Sequence, residues 1–238
     1  MHLNCTNPCK IQQREQLQVL FDQCFLNGDK RGLREQYKIL RQIELNHNID
    51  YDNEIIDISS LTQNISVACD VLIAETGVSV IYCGNKTSPA FCNQRYFTKA
   101  LLNLISNAYL YGCEKLITIK TIEMTDFIRV DVQNGGAFVN SNEGKGLSFV
   151  RNVCKNANGR FFIEQSPNSI CAVMIFEKVR NYKKLNSIDF YSLINDRLSP
   201  VYVELFGMEY HWTNTFCSTN WGLSNQSSET LVFSREIG

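Results

Sequence analysis

The sequence predicts an α+β fold: a two-layer α/β sandwich with helices on one face of a sheet, preceded by an N-terminal helical hairpin. Three observations predict it. Residues 78–83, 116–122, 127–132, 161–164 and 170–177 are short apolar or alternating runs bounded by turn residues, which reads as strand. Residues 100–112 carry Leu101, Leu104, Ile105 and Ala108 at helical spacing. Most of the strands fall in neighbouring pairs split by a few residues, so they pair as antiparallel hairpins with the helices collected on one face.

The elements follow in order. Residues 11–26 carry an apolar stripe of Leu17, Leu20, Phe21, Cys24 and Phe25. Asn27-Gly28-Asp29 is a turn signal, and Leu33, Tyr37 and Leu40 continue a helix to His47. Two helices joined by so short a turn pack as an antiparallel hairpin. Residues 46–54 are polar and read as a linker. Asp57 or Ser59 caps a helix running to about residue 75, and Thr76-Gly77 ends it. Residues 84–89 are a turn, and 90–92 a short strand. Asn93 caps the helix that follows. A Gly-rich stretch, 135–146, leads into a helix over 147–156, and Asn158-Gly159 turns the chain into the closing hairpin. Beyond residue 180, a helix is expected over 187–194 and a turn and strand over 198–205. Residues 213–228, rich in Asn, Ser and Thr, read as loop.

The chain has 238 residues, long enough for one or two domains with a real core. Its formal net charge of −1 gives no global attraction to nucleic acid or anionic membrane. No apolar run reaches the length of a membrane span, and no signal peptide is visible. The ten cysteines are scattered, several inside apolar runs, with no Cys-x-x-Cys pair. They read as free thiols packed as small hydrophobes, which implies a reducing, cytoplasmic setting.

Asn103 and Asn107 lie four residues apart, on one face of an otherwise apolar helix. Buried amides are costly without partners. One partner is a Mg²⁺–phosphate group, because an amide oxygen is a hard ligand. The other reading is a pair of capping or core-bridging amides. Downstream stand Val132-Gln-Asn-Gly-Gly-Ala137 at the end of a strand, and Asn142-Glu-Gly-Lys-Gly-Leu-Ser-Phe-Val150 opening a helix.

The order and spacing of these three segments resemble the ATP-binding domain of sensor histidine kinases, within the GHKL superfamily shared with gyrase and Hsp90, over about residues 55–178. Asn103-Leu-Ile-Ser-Asn107-Ala108 is similar to the family's N box. Asn134-Gly-Gly136 is similar to its first glycine box, and Gly144-Lys145-Gly146-Leu147 to its second. The resemblance implies a Bergerat-type ATP-binding fold with ATP and Mg²⁺ as cofactors. It implies Asn107 as the Mg²⁺ ligand. It further implies that Asn103, Tyr111, Asn134, Gly136, Gly144, Lys145, Gly146 and Leu147 line the nucleotide. Glycines at a helix N-terminus let backbone N–H groups approach phosphate. Lys145 either adds charge to a phosphate or is a solvated loop lysine.

The departures are equally specific. The family's first glycine box opens with an Asp that accepts from the adenine amino group. Strand phase aligns that Asp to Asn134, and counting back from Gly135 aligns it to Gln133. Either is an amide, which forms a neutral rather than a charge-assisted bond. The last glycine of that box is Phe138, the lid from 137 to 143 is short, and the N-box position often held by Lys is Leu110. Gyrase-like relatives carry a water-activating Glu where Asn103 stands, and an amide is no general base. No catalytic residue is assigned.

A histidine kinase needs a phosphoacceptor His on the first helix of its hairpin. Only His2, His47 and His211 exist, and His47 stands at the far end of the second helix. The expected organisation is a possible dimerisation hairpin over 1–50, an ATP-binding domain over 51–179, and a C-terminal extension over 180–238. The expected function is a cytoplasmic, histidine-kinase-like regulator or pseudokinase. It pairs as a homodimer through the N-terminal helices and serves a signalling protein partner in two-component signal transduction. The alternatives are an active transferase phosphorylating a partner in trans, and a nucleotide-free phosphotransfer or scaffold protein.

Overall fold

The computed structural model describes residues 16, 19–24, 26–45, 52–84, 87–136, 145–182, 185 and 188–206. Helix α1 spans Lys30–Leu45, strand β1 Glu54–Asp57, helix α2 Ile58–Ile73, strand β2 Ser79–Gly84 and strand β3 Pro89–Cys92. Helix α3 spans Gln94–Tyr111, strand β4 Leu116–Glu123, strand β5 Phe127–Gly135 and helix α4 Lys145–Asn156. Strands β6 Arg160–Gln165 and β7 Ser169–Glu177 precede the short helices α5 Phe190–Asn195 and α6 Pro200–Phe206.

Five strands form one sheet in the order β2-β4-β5-β7-β6. Pairs β4–β5, β5–β7 and β6–β7 are antiparallel, as the sequence predicts. Pair β2–β4 is parallel, contrary to the expectation of hairpins throughout. The reason is that β3 and α3 lie between them, and a crossover that long returns the chain in the same direction. Strand β3 leaves the main sheet and pairs with β1. Thus the end of the expected linker, from Glu54, is a strand. Its short EIID sequence has too little alternation to register.

Ile117 and Ile119 of β4, Ile128, Val130 and Val132 of β5, and Met174 and Phe176 of β7 alternate onto one face. There they meet Leu61, Ile65 and Ala68 of α2, Phe97, Leu101, Leu104 and Ile105 of α3, and Val150 and Val153 of α4. Asp57 caps α2 as expected: Oδ1 accepts from the Ser59 and Ser60 N–H groups at 3.1 and 3.3 Å. The same oxygen accepts from Ser88 N–H at 2.9 Å, which ties the cap to the chain entering β3.

A second, smaller core joins both ends of the chain. Residues 19–24 are helical, and Asn27-Gly28 turns the chain into α1. Phe21 packs edge-on against Tyr37 with ring centroids 4.4 Å apart. Leu33, Tyr37 and Leu40 then bury against Leu198, Tyr202 and Val203. Residues 200–206 are therefore helix, not the expected strand. Val201 and Leu205 face the main core while Tyr202 and Val203 face the small one. A helix buried on two sides reads as a continuous apolar run, which periodicity cannot tell from a buried strand. Pro200 suits the first helical position, where its missing N–H costs nothing. Among the described residues, no helix is long and apolar enough to cross a membrane.

Candidate functional site

Helix α3 is the spine of the site. Asn93 caps it by accepting from Tyr96 N–H at 3.0 Å, and its amide donates to Asp52 O at 2.9 Å. At the other end Gly112 N–H returns to Ala108 O, and Cys113 N–H reaches Gly135 O at 2.9 Å. That last bond brings Gly135 against the C-terminal end of α3.

Asn103 is 2% exposed. Its Nδ2 donates to Lys99 O at 3.1 Å, which orients the amide and leaves Oδ1 as the free acceptor. A Cβ added to Gly146 would lie 2.8 Å from that Oδ1. Only glycine permits this approach, so α4 begins directly against the Asn103 amide. Asn107, one turn on, is half-buried and makes no side-chain hydrogen bond among the described residues. The two amides therefore share a face, as their spacing predicts, and Asn103 is the deeper.

Of the two amides at the end of β5, Asn134 is the one turned inward. Strand β5 turns Val130, Val132 and Asn134 toward the helices, and Gln133 the other way. Asn134 is 8% exposed, with Nδ2 donating to Gly135 O at 3.1 Å. A Cβ on Gly112 would come within 2.8 Å of that nitrogen, so Asn134 sits at the C-terminal end of α3. Gly136 takes φ +144°, a conformation that favours glycine, and lies beside the Tyr111 and Cys113 backbones.

The remaining residues fall around this centre. Lys145 is exposed at the first position of α4, and Leu147 is half-buried beside the main core. Tyr111 is 76% exposed, so it does not plug the space between α3 and α4. Gly144, Phe138, the lid over 137–143 and all three histidines lie outside the described residues.

Two features escaped the sequence. Lys99 is 7% exposed, with its ammonium 5.4 Å from the Phe149 ring centroid on α4. It stands four residues before Asn103, a spacing that was available to find it. Glu204 of α6 is 4% exposed. It accepts from Ser106 Oγ at 2.8 Å and from both Nε and Nη2 of Arg41, at 3.1 and 2.6 Å. Ser106 lies between Asn103 and Asn107 in sequence, so a buried carboxylate joins α1, α6 and the helix bearing the amides. Nothing local in the sequence predicts that pairing, because Arg41 and Glu204 are 163 residues apart.

The donor set fits a Mg²⁺-nucleotide. The Oδ1 of the buried Asn103 faces Gly146 in the first turn of α4, and at a helix N-terminus backbone N–H groups and the dipole favour anions. Among the described residues no cluster of His, Cys, Asp or Glu is placed to hold a metal alone. A hard cation held by one amide would take its other ligands from phosphate and water.

No family model and no curated protein matches the chain. Solved structures do. Full-length ShkA in complex with AMPPNP matches with a TM-score of 0.54 at 12% identity, over 71% of this chain and 42% of that one. Histidine kinase ThkA, in complex with the response regulator TrrA, matches with a TM-score of 0.51 at 16% identity, over 68% of this chain and 52% of that one. The fold is that of a sensor histidine-kinase catalytic domain. The separate, nucleotide-free ThkA catalytic domain is covered over 97% of its length by 53% of this chain, at 19% identity and a TM-score of 0.48. In the histidine-kinase fold of this chain, the smaller core of α1 and α6 is joined directly to the helix bearing the amides.

Proposed function

We propose that this chain is a Mg²⁺-nucleotide-binding signalling protein of the histidine-kinase type that works as a regulator or pseudokinase. The observation that carries this reading is the buried Asn103 amide with its Oδ1 facing Gly146 at the start of α4, and Asn107 one turn away. Asn107 is the Mg²⁺ ligand position, Asn134 meets the base, and Gly136, Gly144, Lys145, Gly146, Leu147 and Tyr111 surround the nucleotide. A neutral amide at Asn134 lowers affinity relative to a carboxylate there.

With no His on the first hairpin helix, the chain does not phosphorylate itself in the manner of a sensor kinase, and its output passes through a signalling protein partner. The match to ThkA in complex with a response regulator supports a partner of that kind. In this reading residues 51–179 are the nucleotide domain, residues 1–50 the dimerising arm and residues 180–238 an extension. Because Leu33, Tyr37 and Leu40 are buried within the chain, a homodimer forms through the exposed Val19, Leu20, Leu26 and Ile39. The reduced thiols suit the cytoplasm.

Thermal denaturation with Mg-ATP tests the reading, since a ligand of the native state raises Tm. A rise is expected at millimolar ATP, and Asn107→Ala should remove its Mg²⁺ dependence. No rise with the wild type sinks nucleotide binding and leaves the scaffold alternative.

A further inference from the structure

We infer that Ser106 is a positioning residue that ties the docking of α1 to the amide pair on α3. This rests on the nucleotide-binding reading above and names a regulation of that site.

Ser106 is fully buried, within the turn that separates Asn103 from Asn107. Its hydroxyl meets two acceptors, Asn103 O at 3.1 Å and Glu204 Oε1 at 2.8 Å. A serine hydroxyl carries a single hydrogen, so the two acceptors compete for it. An ionised Glu204 is the stronger of them, because a carboxylate makes charge-assisted bonds. The weaker acceptor is already in use. In an α-helix the carbonyl of residue i accepts from the N–H of residue i+4, so Asn103 O carries the Asn107 N–H. A serine that bonds back onto its own helix disturbs such a carbonyl and bends the helix. The place of one hydrogen thus acts on the backbone bond that joins the two amides.

Helix α1 decides where that hydrogen goes. Glu204 is 4% exposed, and Arg41 of α1 forks onto its two oxygens at 3.1 and 2.6 Å. With α1 seated, the pair holds an ionised Glu204 against Ser106. When α1 leaves, the cation leaves with it. The carboxylate then keeps one neutral donor among the described residues, and it turns to water or takes up a proton. Either change weakens its hold on the Ser106 hydrogen, which returns to Asn103 O. Seated α1 therefore leaves the Asn103–Asn107 bond undisturbed, and released α1 shifts one amide against the other.

Proton–nitrogen NMR of the full chain tests this without nucleotide, using Arg41→Met, Ser106→Ala and the double variant. Arg41 is part-exposed, so its replacement spares the main core. Arg41→Met should shift the Asn107 backbone amide and speed its hydrogen exchange about fivefold, the size expected for weakening one hydrogen bond. Arg41→Lys keeps the charge and should hold Asn107 near its wild-type position. In the Ser106→Ala background, Arg41→Met should leave Asn107 unmoved. If Arg41→Met moves Asn107 equally with and without the Ser106 hydroxyl, or does not move it at all, the inference is overturned. Titration with Mg-ATP then reads the regulation. Arg41→Met should weaken binding about fivefold, at the low end of ordinary coupling, and Ser106→Ala should abolish that difference. Unchanged affinity in Arg41→Met overturns the regulatory role while nucleotide binding stands. A wild type that binds no nucleotide sinks the reading above, and the Asn107 amide still decides the link to α1.

Discussion

The main core and the smaller terminal core hold their polar groups in opposite ways. In the main core, several polar side chains bond within a helical turn. Asn103 turns back on Lys99 O, Ser66 on Thr62 O and Asp57 accepts from Ser59 N–H, with Ser88 as a more distant donor to Asp57. In the terminal core, the partners come from opposite ends of the chain. Tyr37 OH donates to Arg197 O across 160 residues, and Arg41 pairs with Glu204. Local pairing is available as soon as a helix forms. Distant pairing forms only when the whole chain has closed, because the loop entropy must first be met. The terminal core is therefore expected to be the part whose docking varies while the sheet and its helices stay folded. It is also the part that touches the amide-bearing helix through Ser106.

The largest effect that could break this contrast is a cavity in the main core. Phe97 is fully buried and packs edge-on with Phe176 at 5.4 Å. Phe97→Ala should cost about 3–5 kcal/mol, read by urea denaturation, and should weaken both cores together because α3 supports each. Next comes the ion pair of buried Glu204 with the part-exposed Arg41. Glu204→Gln removes a charge-assisted bond and should cost about 1.5–3 kcal/mol. In a double-mutant cycle with Arg41→Met, the two losses should be strongly non-additive. Limited proteolysis of Glu204→Gln should release α1 before the sheet domain is cut. Simple additivity, or simultaneous loss of both regions, would remove the distinction between the cores.

Asp57→Ala should cost about 1–2 kcal/mol, the usual range for an N-cap, toward the upper end because Ser88 also loses its acceptor. The smallest effect concerns the thiols. Among the described residues Cys83 and Cys113 are exposed, while Cys69, Cys92 and Cys154 are buried. Burial pushes the Cys92 thiol up to about 12 and raises the other two as well. Iodoacetamide at pH 8 should label Cys83 and Cys113 first, and the buried three only after denaturation. An unfolded thiol ionises near pH ~8.5. The stability carried by the buried thiols is thus full below about pH 8.5 and is lost as pH rises from there toward the folded values.

Much of the sheet and its helices was legible, because each of those elements carries its own signal. Asp57 and Asn93 announced their helices as caps, and Ile128, Val130 and Val132 fixed the phase that turns Asn134 inward. The α+β sheet-and-helix fold and the shared face of Asn103 and Asn107 came through for the same reason. Four things did not come through. The strand at 54–57 was too short, and the parallel pairing of β2 depended on where the intervening chain went. Residues 200–206 are helical because they are buried on two sides, which no local period encodes.

The fourth was the cluster of charges around α3. Lys99 and Glu204 each look like an ordinary surface residue in the sequence, and each is buried. Periodicity and capping are properties of neighbouring residues, so the sequence alone determined the helices, most strands and the polar face of α3. Burial of a charge is a property of what packs against it. Only the tertiary structure decided that Glu204 meets Arg41 and Ser106, and that Lys99 reaches across to α4.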